Sequence, residues 1–213
     1  KGSTSVKDRI RLLNICSRIY FVSGWVEEKF FTNVEKNFYS NFKVIYPSIN
    51  LLKKFPKKEK LIIFSGKLNK SKGFPTFGEA IIKILDKYKD WSAVVIGDEP
   101  REKYNFKHKK LKYLGWIPYE KVLKYFSRSS ITVVPSNWAE PFGRTSLEAG
   151  SRGNAVIISN RGGLPETINS PVILKEVNSK CIYDQICVRS QKCEVTRIWY
   201  VTNDSVKNPK QRQ

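Results

Sequence analysis

The chain has 213 residues, of which 40% are hydrophobic and 13% aromatic, which is enough to bury a core and too apolar for a disordered tail. Its 39 Lys and Arg against 19 Asp and Glu give a formal charge of +20, a field that draws nucleotides, nucleic acid or an anionic membrane face. No run of about eighteen apolar residues is present to span a bilayer, and the lysines are spread along the chain as a compositional bias would also spread them.

The start, Lys1-Gly2-Ser3-Thr4, lacks the apolar core of a secretory signal, and methionine is absent even at position 1, so an excised or incomplete chain is expected. Residues 7–23 read as a basic helix running into a short strand, Ile19 to Ser23. Ser23 is placed to cap a helix from Trp25 to about Val34, with Glu27 and Glu28 in its first turn. Lys43 to Pro47 reads as another strand, stopped by proline. Residues 51–60, rich in lysine with Pro56 at the centre, read as a linker. The first fifty residues thus form one region and the chain from 61 onward another.

From Leu61 a regular alternation begins. Buried strands are expected at Leu61–Ser65, Ala93–Gly97, Leu111–Gly115, Ile131–Pro135 and Ala155–Ser159. Between them, apolar residues at helical spacing mark Pro75–Tyr88, Tyr119–Ser127 and Leu147–Arg152. Repeated βα units of this kind predict an α/β fold with a doubly wound, parallel, Rossmann-like sheet over 61–175. Past Lys175 the pattern weakens; Ile182 to Tyr200 reads as a helix within a C-terminal segment 176–213 of no assigned role. The four cysteines, Cys16, Cys181, Cys187 and Cys193, contain no C-x-x-C pair, and His108 is the only histidine. That argues against a zinc site and for free thiols in a reducing compartment.

In such a sheet ligands bind beyond the carboxyl ends of the strands, and four loops lie there. Gly66 to Gly73 allows a close backbone approach and carries Lys67 and Lys72, which can neutralise a diphosphate and stabilise it as a leaving group; a solvated basic turn would look the same. Gly97-Asp98-Glu99-Pro100 is an ordinary strand ending. Leu114-Gly115-Trp116-Ile117-Pro118 suits either an apolar wall against a nucleobase or a turn with a core tryptophan. Pro135 to Ala149 is the informative one. Glu140 stands at its tip, Glu148 roughly two turns into the following helix, and the amides of Gly143, Arg144 and Thr145 open the helix between them as a phosphate or sugar-oxygen site. Each carboxylate can accept hydrogen bonds from a sugar diol.

Glu140-Pro141-Phe142-Gly143 with Glu148 eight residues after Glu140 resembles the E-x7-E signature of the family 4 (group 1) glycosyltransferases. Gly66-Lys67-Leu68 with Lys72-Gly73 resembles the family's phosphate loop, Leu114 to Pro118 its base-binding segment, and Gly162-Gly163-Leu164-Pro165-Glu166 its G-G-x-x-E turn. The likeness covers roughly residues 60–175 and implies the C-terminal half of a GT-B fold. Residues 1–50, with Ile19 to Pro47 at their centre, are similar to the last strand and helix of the partner N-terminal domain plus the crossover.

The resemblance implies transfer of a sugar from a nucleotide donor with retention, without a metal ion or other cofactor. Lys67 and Lys72 would then bind the diphosphate, starting from Gly66, and Glu140 would contact the transferred sugar. Phe142, Gly143, Arg144 and Thr145 would line sugar and phosphate, Glu148 would hold the ribose, and Trp116 and Ile117 would frame the base. Lys67 stands where the family commonly has arginine, which loses the bidentate fork. The acceptor, a glycan or glycolipid of envelope polysaccharide or glycolipid synthesis, would be held by the N-terminal domain, without which the fragment is expected to bind donor but not turn it over. The expected location is the cytoplasm, with peripheral contact to the anionic inner face of the membrane left open. The alternative, a basic nucleic-acid-binding α/β module, rests on charge and aromatics alone, with no recognised motif behind it. A dinucleotide site would need G-x-G-x-x-G, whose spacing Gly66 to Gly73 does not fit.

Overall fold

The computed structural model describes residues 5–50, 52 and 54–192. A first unit holds α1 (Val6–Ile15), β1 (Ile19–Phe21), α2 (Gly24–Phe30) and β2 (Phe42–Val44). β1 and β2 pair in parallel, with Ile19 opposite Phe42, and a small core of Leu13, Phe21 and Phe31 lies beneath them. Ser23 caps α2 as its position suggests, its hydroxyl accepting the Val26 amide at 3.1 Å. α2 ends at Phe30, short of Val34.

The second unit holds β3 (Glu59–Ser65), α3 (Phe74–Lys87), β4 (Ser92–Ile96), β5 (Leu111–Tyr113) and α4 (Tyr119–Arg128). It continues through β6 (Ser129–Val134), α5 (Arg144–Ser151), β7 (Ala155–Ser159), β8 (Val172–Leu174) and α6 (Ser179–Lys192). All six strands are parallel in the order β5-β4-β3-β6-β7-β8, the doubly wound Rossmann-like sheet expected. Strand alternation divides the interior in two. Ile62, Phe64, Ala93, Val95, Ile131 and Ile157 face α3 and α6. Leu61, Ile63, Val94, Ile96, Val156 and Ile158 face α4 and α5. No helix among the described residues is long and apolar enough to cross a membrane.

Three differences from the sequence expectation have physical causes. The first strand begins at Glu59 rather than after Lys60, because the strand's exposed end tolerates charge: Glu59 pairs with Arg128 at 2.7 Å and Lys60 with Asp90 at 2.5 Å. Lys58, in the stretch read as a linker, is anchored. Its ammonium donates to the carbonyls of Phe126, Ser127 and Arg152 at 3.1, 3.0 and 2.5 Å, where α4 and α5 end and bare carbonyls face a cation. Burial pulls its pKa down to about 8. Finally, α6 is part of the sheet unit rather than a separate tail, since Ile182 and Ile186 are fully buried against α3 and the sheet. The end of the helix expected from Ile182 to Tyr200 lies outside the described residues, as does Cys193. Cys16, Cys181 and Cys187 are free thiols.

Candidate functional site

The strand order reverses between β3, whose chain moves on to β4, and β6, whose chain moves on to β7. A crevice opens at the carboxyl ends of the two strands that flank such a reversal. A cavity of about 410 Å³ lies there, lined among others by Gly66, Lys72, Ser136, Glu140, Phe142, Gly143, Arg144 and Thr145. The first unit supplies Val22 and Pro47 to its wall.

Two loops, one after each strand, form the site, and hydrogen bonds fasten them together. After β3 the chain turns once at Lys70–Lys72, with Asn69 Oδ1 accepting the Lys72 amide at 3.0 Å. The Ser71 carbonyl accepts the amides of Asn137 and Trp138 at 2.9 and 3.0 Å. Gly73, at φ 72°, sits where an added Cβ would meet the Pro135 carbonyl at 1.9 Å, so only glycine lets the loops come this close. The result is that Lys72 Nζ reaches Glu140 Oε1 at 2.5 Å, and Ser136 Oγ donates to the same oxygen at 2.9 Å.

Carboxylates behind the first loop hold it in place. Glu99, read from the sequence as an ordinary strand ending, is buried and accepts Asn69 Nδ2 at 3.3 Å. Arg101 grips it at 2.7 and 2.9 Å and holds its pKa down at about 2. Glu102 accepts the Lys70 amide at 2.9 Å. Their only signal in the sequence is acidic residues in a basic chain.

The second loop is braced from its far side. Gly162 bridges to Glu140, and the Gly163 amide donates to the Glu140 carbonyl at 2.7 Å. Gly162 has φ 63°, and a Cβ there would meet that carbonyl at 2.1 Å. Glu166, at the end of the same turn, accepts the amides of Gly24 and Trp25 at 2.7 and 2.8 Å and the Tyr46 hydroxyl at 3.0 Å. Ser23 Oγ donates to the Pro141 carbonyl at 2.5 Å. The G-G-x-x-E turn therefore ties the first unit to the loop that bears Glu140. Burial and the Glu166 carboxylate push the Tyr46 pKa up to about 12.

α5 starts at Arg144 with no side-chain cap, so its first amides and the positive end of its dipole face the cavity. Glu148, buried one turn further on, is paired with Arg144 at 3.2 Å. Burial raises its pKa, while Arg144 and Tyr119 work in the opposite direction. Of the residues singled out from the sequence, Gly66, Lys72, Glu140, Phe142, Gly143, Arg144 and Thr145 share one cavity wall. Glu148 stands behind Arg144, and Lys67 is exposed outside the wall. Ile117 packs against the core on the α4 side, while Trp116 is 80% exposed. Among the described residues no group of three or more His, Cys, Asp or Glu is gathered to ligate a metal ion.

The sequence model of the family described as glycosyl transferases group 1 matches residues 52–182. Over 133 residues the chain is 32% identical to an uncharacterized glycosyltransferase of Methanocaldococcus jannaschii, covering 59% of this chain and 32% of that protein. The C-terminal domain of a group 1 glycosyl transferase (LpcC) of Francisella tularensis is 30% identical. It superposes with a TM-score of 0.54 over 67% of this chain and 84% of its own. HepE of Anabaena, solved in complex with UDP-glucose, is alike in fold at 16% identity, with a TM-score of 0.68 over 89% of this chain and 60% of its own. The chain spans about a third of the length of the curated relatives it matches.

Proposed function

The chain belongs to the group 1 glycosyltransferases, and we propose that it is the donor-binding half of a retaining enzyme that takes a hexose from a nucleoside diphosphate. The observation that carries this is the Lys72–Glu140 pair set beside the uncapped start of α5 in one cavity. The diphosphate lies on the amides of Arg144 and Thr145, and Lys72 balances its charge. As the bond to the anomeric carbon breaks, negative charge grows on the leaving phosphate. Fixed amides and an ammonium already in place stabilise that charge without reorganising, so the step requires no metal ion. Lys67, exposed on the same loop, adds its charge once a donor is bound.

Glu140 lies where the transferred sugar extends from the phosphate, and it accepts hydrogen bonds from sugar hydroxyls when Lys72 turns to the phosphate. Phe142 and Gly143 shape the sugar end. Glu148 holds the ribose after releasing Arg144, and its raised pKa reflects the water already excluded there. Ile117 serves as a wall for the base; Trp116, turned to solvent, does not. That HepE, a protein of the same fold, was solved with UDP-glucose supports a nucleotide-sugar as the ligand. The acceptor, a glycan or glycolipid of envelope synthesis, approaches from the side of residues 19–47, which we assign to an N-terminal domain. Turnover requires that domain, and the work is done in the cytoplasm.

Calorimetric titration with UDP, GDP, ADP and UDP-glucose in the absence of metal tests this. One nucleoside diphosphate should bind one-to-one. Glu140→Ala should weaken the sugar-bearing donor while leaving the bare diphosphate nearly unchanged. Equal losses for both ligands would remove Glu140 from the sugar, and no nucleotide binding by the folded chain would overturn the donor site.

A further inference from the structure

Between β4 and β5 a doubly wound sheet ordinarily carries a crossover helix. Here residues 97–110 contain neither helix nor strand. From Arg101 to Lys110 exposure alternates strictly, with 101, 103, 105, 107 and 109 exposed and the residues between them half-buried. That period of two is the mark of an extended segment.

Its inner face is fixed. The rings of Tyr104 and Phe106 stack at 6.2 Å and 9°, and both meet Phe74 edge-on. Phe106 lies over Gly78 so closely that a Cβ there would come within 2.2 Å of it. Tyr113 donates its hydroxyl to the Phe106 carbonyl at 3.1 Å.

The outer face is cationic. Arg101 is committed to Glu99, but Lys103, Lys107 and Lys109 form no ion pair among the described residues. No Asp or Glu occurs from Lys103 to Tyr119. Alternate residues of an extended chain are about 7 Å apart, so the ammonium groups form a row rather than a cluster. The row begins at the carboxyl end of the sheet, the end that bears the cavity. There the Gly97 amide donates to the Gly115 carbonyl at 2.8 Å, and the next residue is the exposed Trp116.

We propose that this ridge is a docking track for an acidic glycan, a linear carbohydrate with repeated carboxylates. Its charges lie along Lys103, Lys107 and Lys109, and the apolar face of one sugar ring packs on the Trp116 indole. The choice of a glycan rests on the glycosyltransferase reading, and it gives the track a purpose: to hold a distant stretch of a growing chain while its end reaches the donor from the side of residues 19–47. The geometry favours it too. A bilayer is met by a plane of cations with several inserted apolar groups, whereas this is a single row with one indole turned fully to solvent, the neighbouring Tyr113 and Tyr119 being only 39% and 41% exposed. Single-stranded nucleic acid is held by aromatics that stack successive bases, and here Tyr104 and Phe106 are turned inward.

The test is titration of the chain with an oligogalacturonate at two salt concentrations. Comparators are a neutral maltooligosaccharide of equal length, a single-stranded oligonucleotide of equal charge, and phosphatidylglycerol vesicles. The oligogalacturonate should bind one-to-one and weaken with salt, the neutral sugar should not bind, and the oligonucleotide should bind more weakly. Replacing Lys103, Lys107 and Lys109 together by Gln should cost about tenfold or more in affinity while UDP binding stays the same. Trp116→Ala should lower glycan affinity further and abolish the fluorescence change that the glycan produces. Unchanged glycan affinity in the three-lysine variant, equal or tighter binding of the oligonucleotide, or binding to vesicles alone would overturn the track. Glycan binding without UDP binding would remove the donor site and leave the track standing. UDP binding without glycan binding would do the reverse.

Discussion

β3, β4, β6 and β7 are covered on both faces, by α3 and α6 on one side and α4 and α5 on the other. β1 and β2, by contrast, run for three residues each over a core centred on Leu13, Phe21 and Phe31. A two-stranded sheet of this size is marginal in water, whereas six strands with helices on both faces bury enough to stand alone. The small unit therefore depends on its attachment. That attachment runs through the site itself: Glu166 receives the start of α2 and Tyr46, and Ser23 reaches the Pro141 carbonyl. Whatever moves the small unit pulls on the loop that bears Glu140.

Core substitutions should separate the two units most sharply. Phe77, fully buried between α3 and the sheet, should cost about 3–5 kcal/mol when cut to Ala, read by denaturant unfolding, and should abolish donor binding. Phe31→Ala should loosen residues 6–44 in hydrogen exchange and spare the six-stranded sheet. If both variants unfold as one transition, the units are a single cooperative body and the contrast fails.

Glu166→Ala comes next. Hydrogen bonds to a charged group contribute about 1.5–3 kcal/mol each, so losing three overlapping ones should weaken the docking of the small unit by about 3 kcal/mol. Amide protection at residues 19–31 should fall while that of β3 to β7 holds. Retained protection would mean that the apolar contacts of Val22 and Pro47 suffice.

Glu148→Ala should weaken UDP binding by about 1–3 kcal/mol, measured by calorimetry, with little change in folding because the one ion pair it also loses is to the exposed guanidinium of Arg144. Unchanged affinity would leave Glu148 as the partner of Arg144 alone.

The smallest effect is a pH dependence. The fold holds Tyr46 neutral up to about 12, against about 10 in an unfolded chain. Its contribution to docking is therefore complete below pH 10 and lost as the pH rises through 12. Protection of residues 19–31 should decline across that window, and Tyr46→Phe should remove the decline. A decline that persists in Tyr46→Phe would place the titration elsewhere.

The parallel sheet was legible because buried strands such as Leu61–Ser65 and Ala155–Ser159 are continuous apolar runs, and Phe77, Ile81 and Ile84 recur at helical spacing. β8, three residues from Val172 to Leu174, was too short to stand out, and α6 was diluted by Cys, Val and polar residues. The site was legible in its second loop, where Glu140, Gly143 and Glu148 combine turn, helix start and carboxylates within nine residues. Glu99 and Glu102 were missed because their partners, Asn69 and the Lys70 amide, are about thirty positions away and carry no local pattern.

By itself, then, the sequence determined the class of fold and the two loops that face the crevice, because periodicity and turn chemistry are local properties. Only the tertiary structure decided which charges meet. Lys72 and Glu140 become neighbours because Gly73 lets the loops touch at Pro135, and Glu166 becomes a tie because its turn ends beside α2. Trp116 faces water while Leu114 and Ile117 on either side of it pack on the α4 side of the sheet, and the crossover after β4 turns its lysines outward because Tyr104 and Phe106 pack on Phe74 of α3.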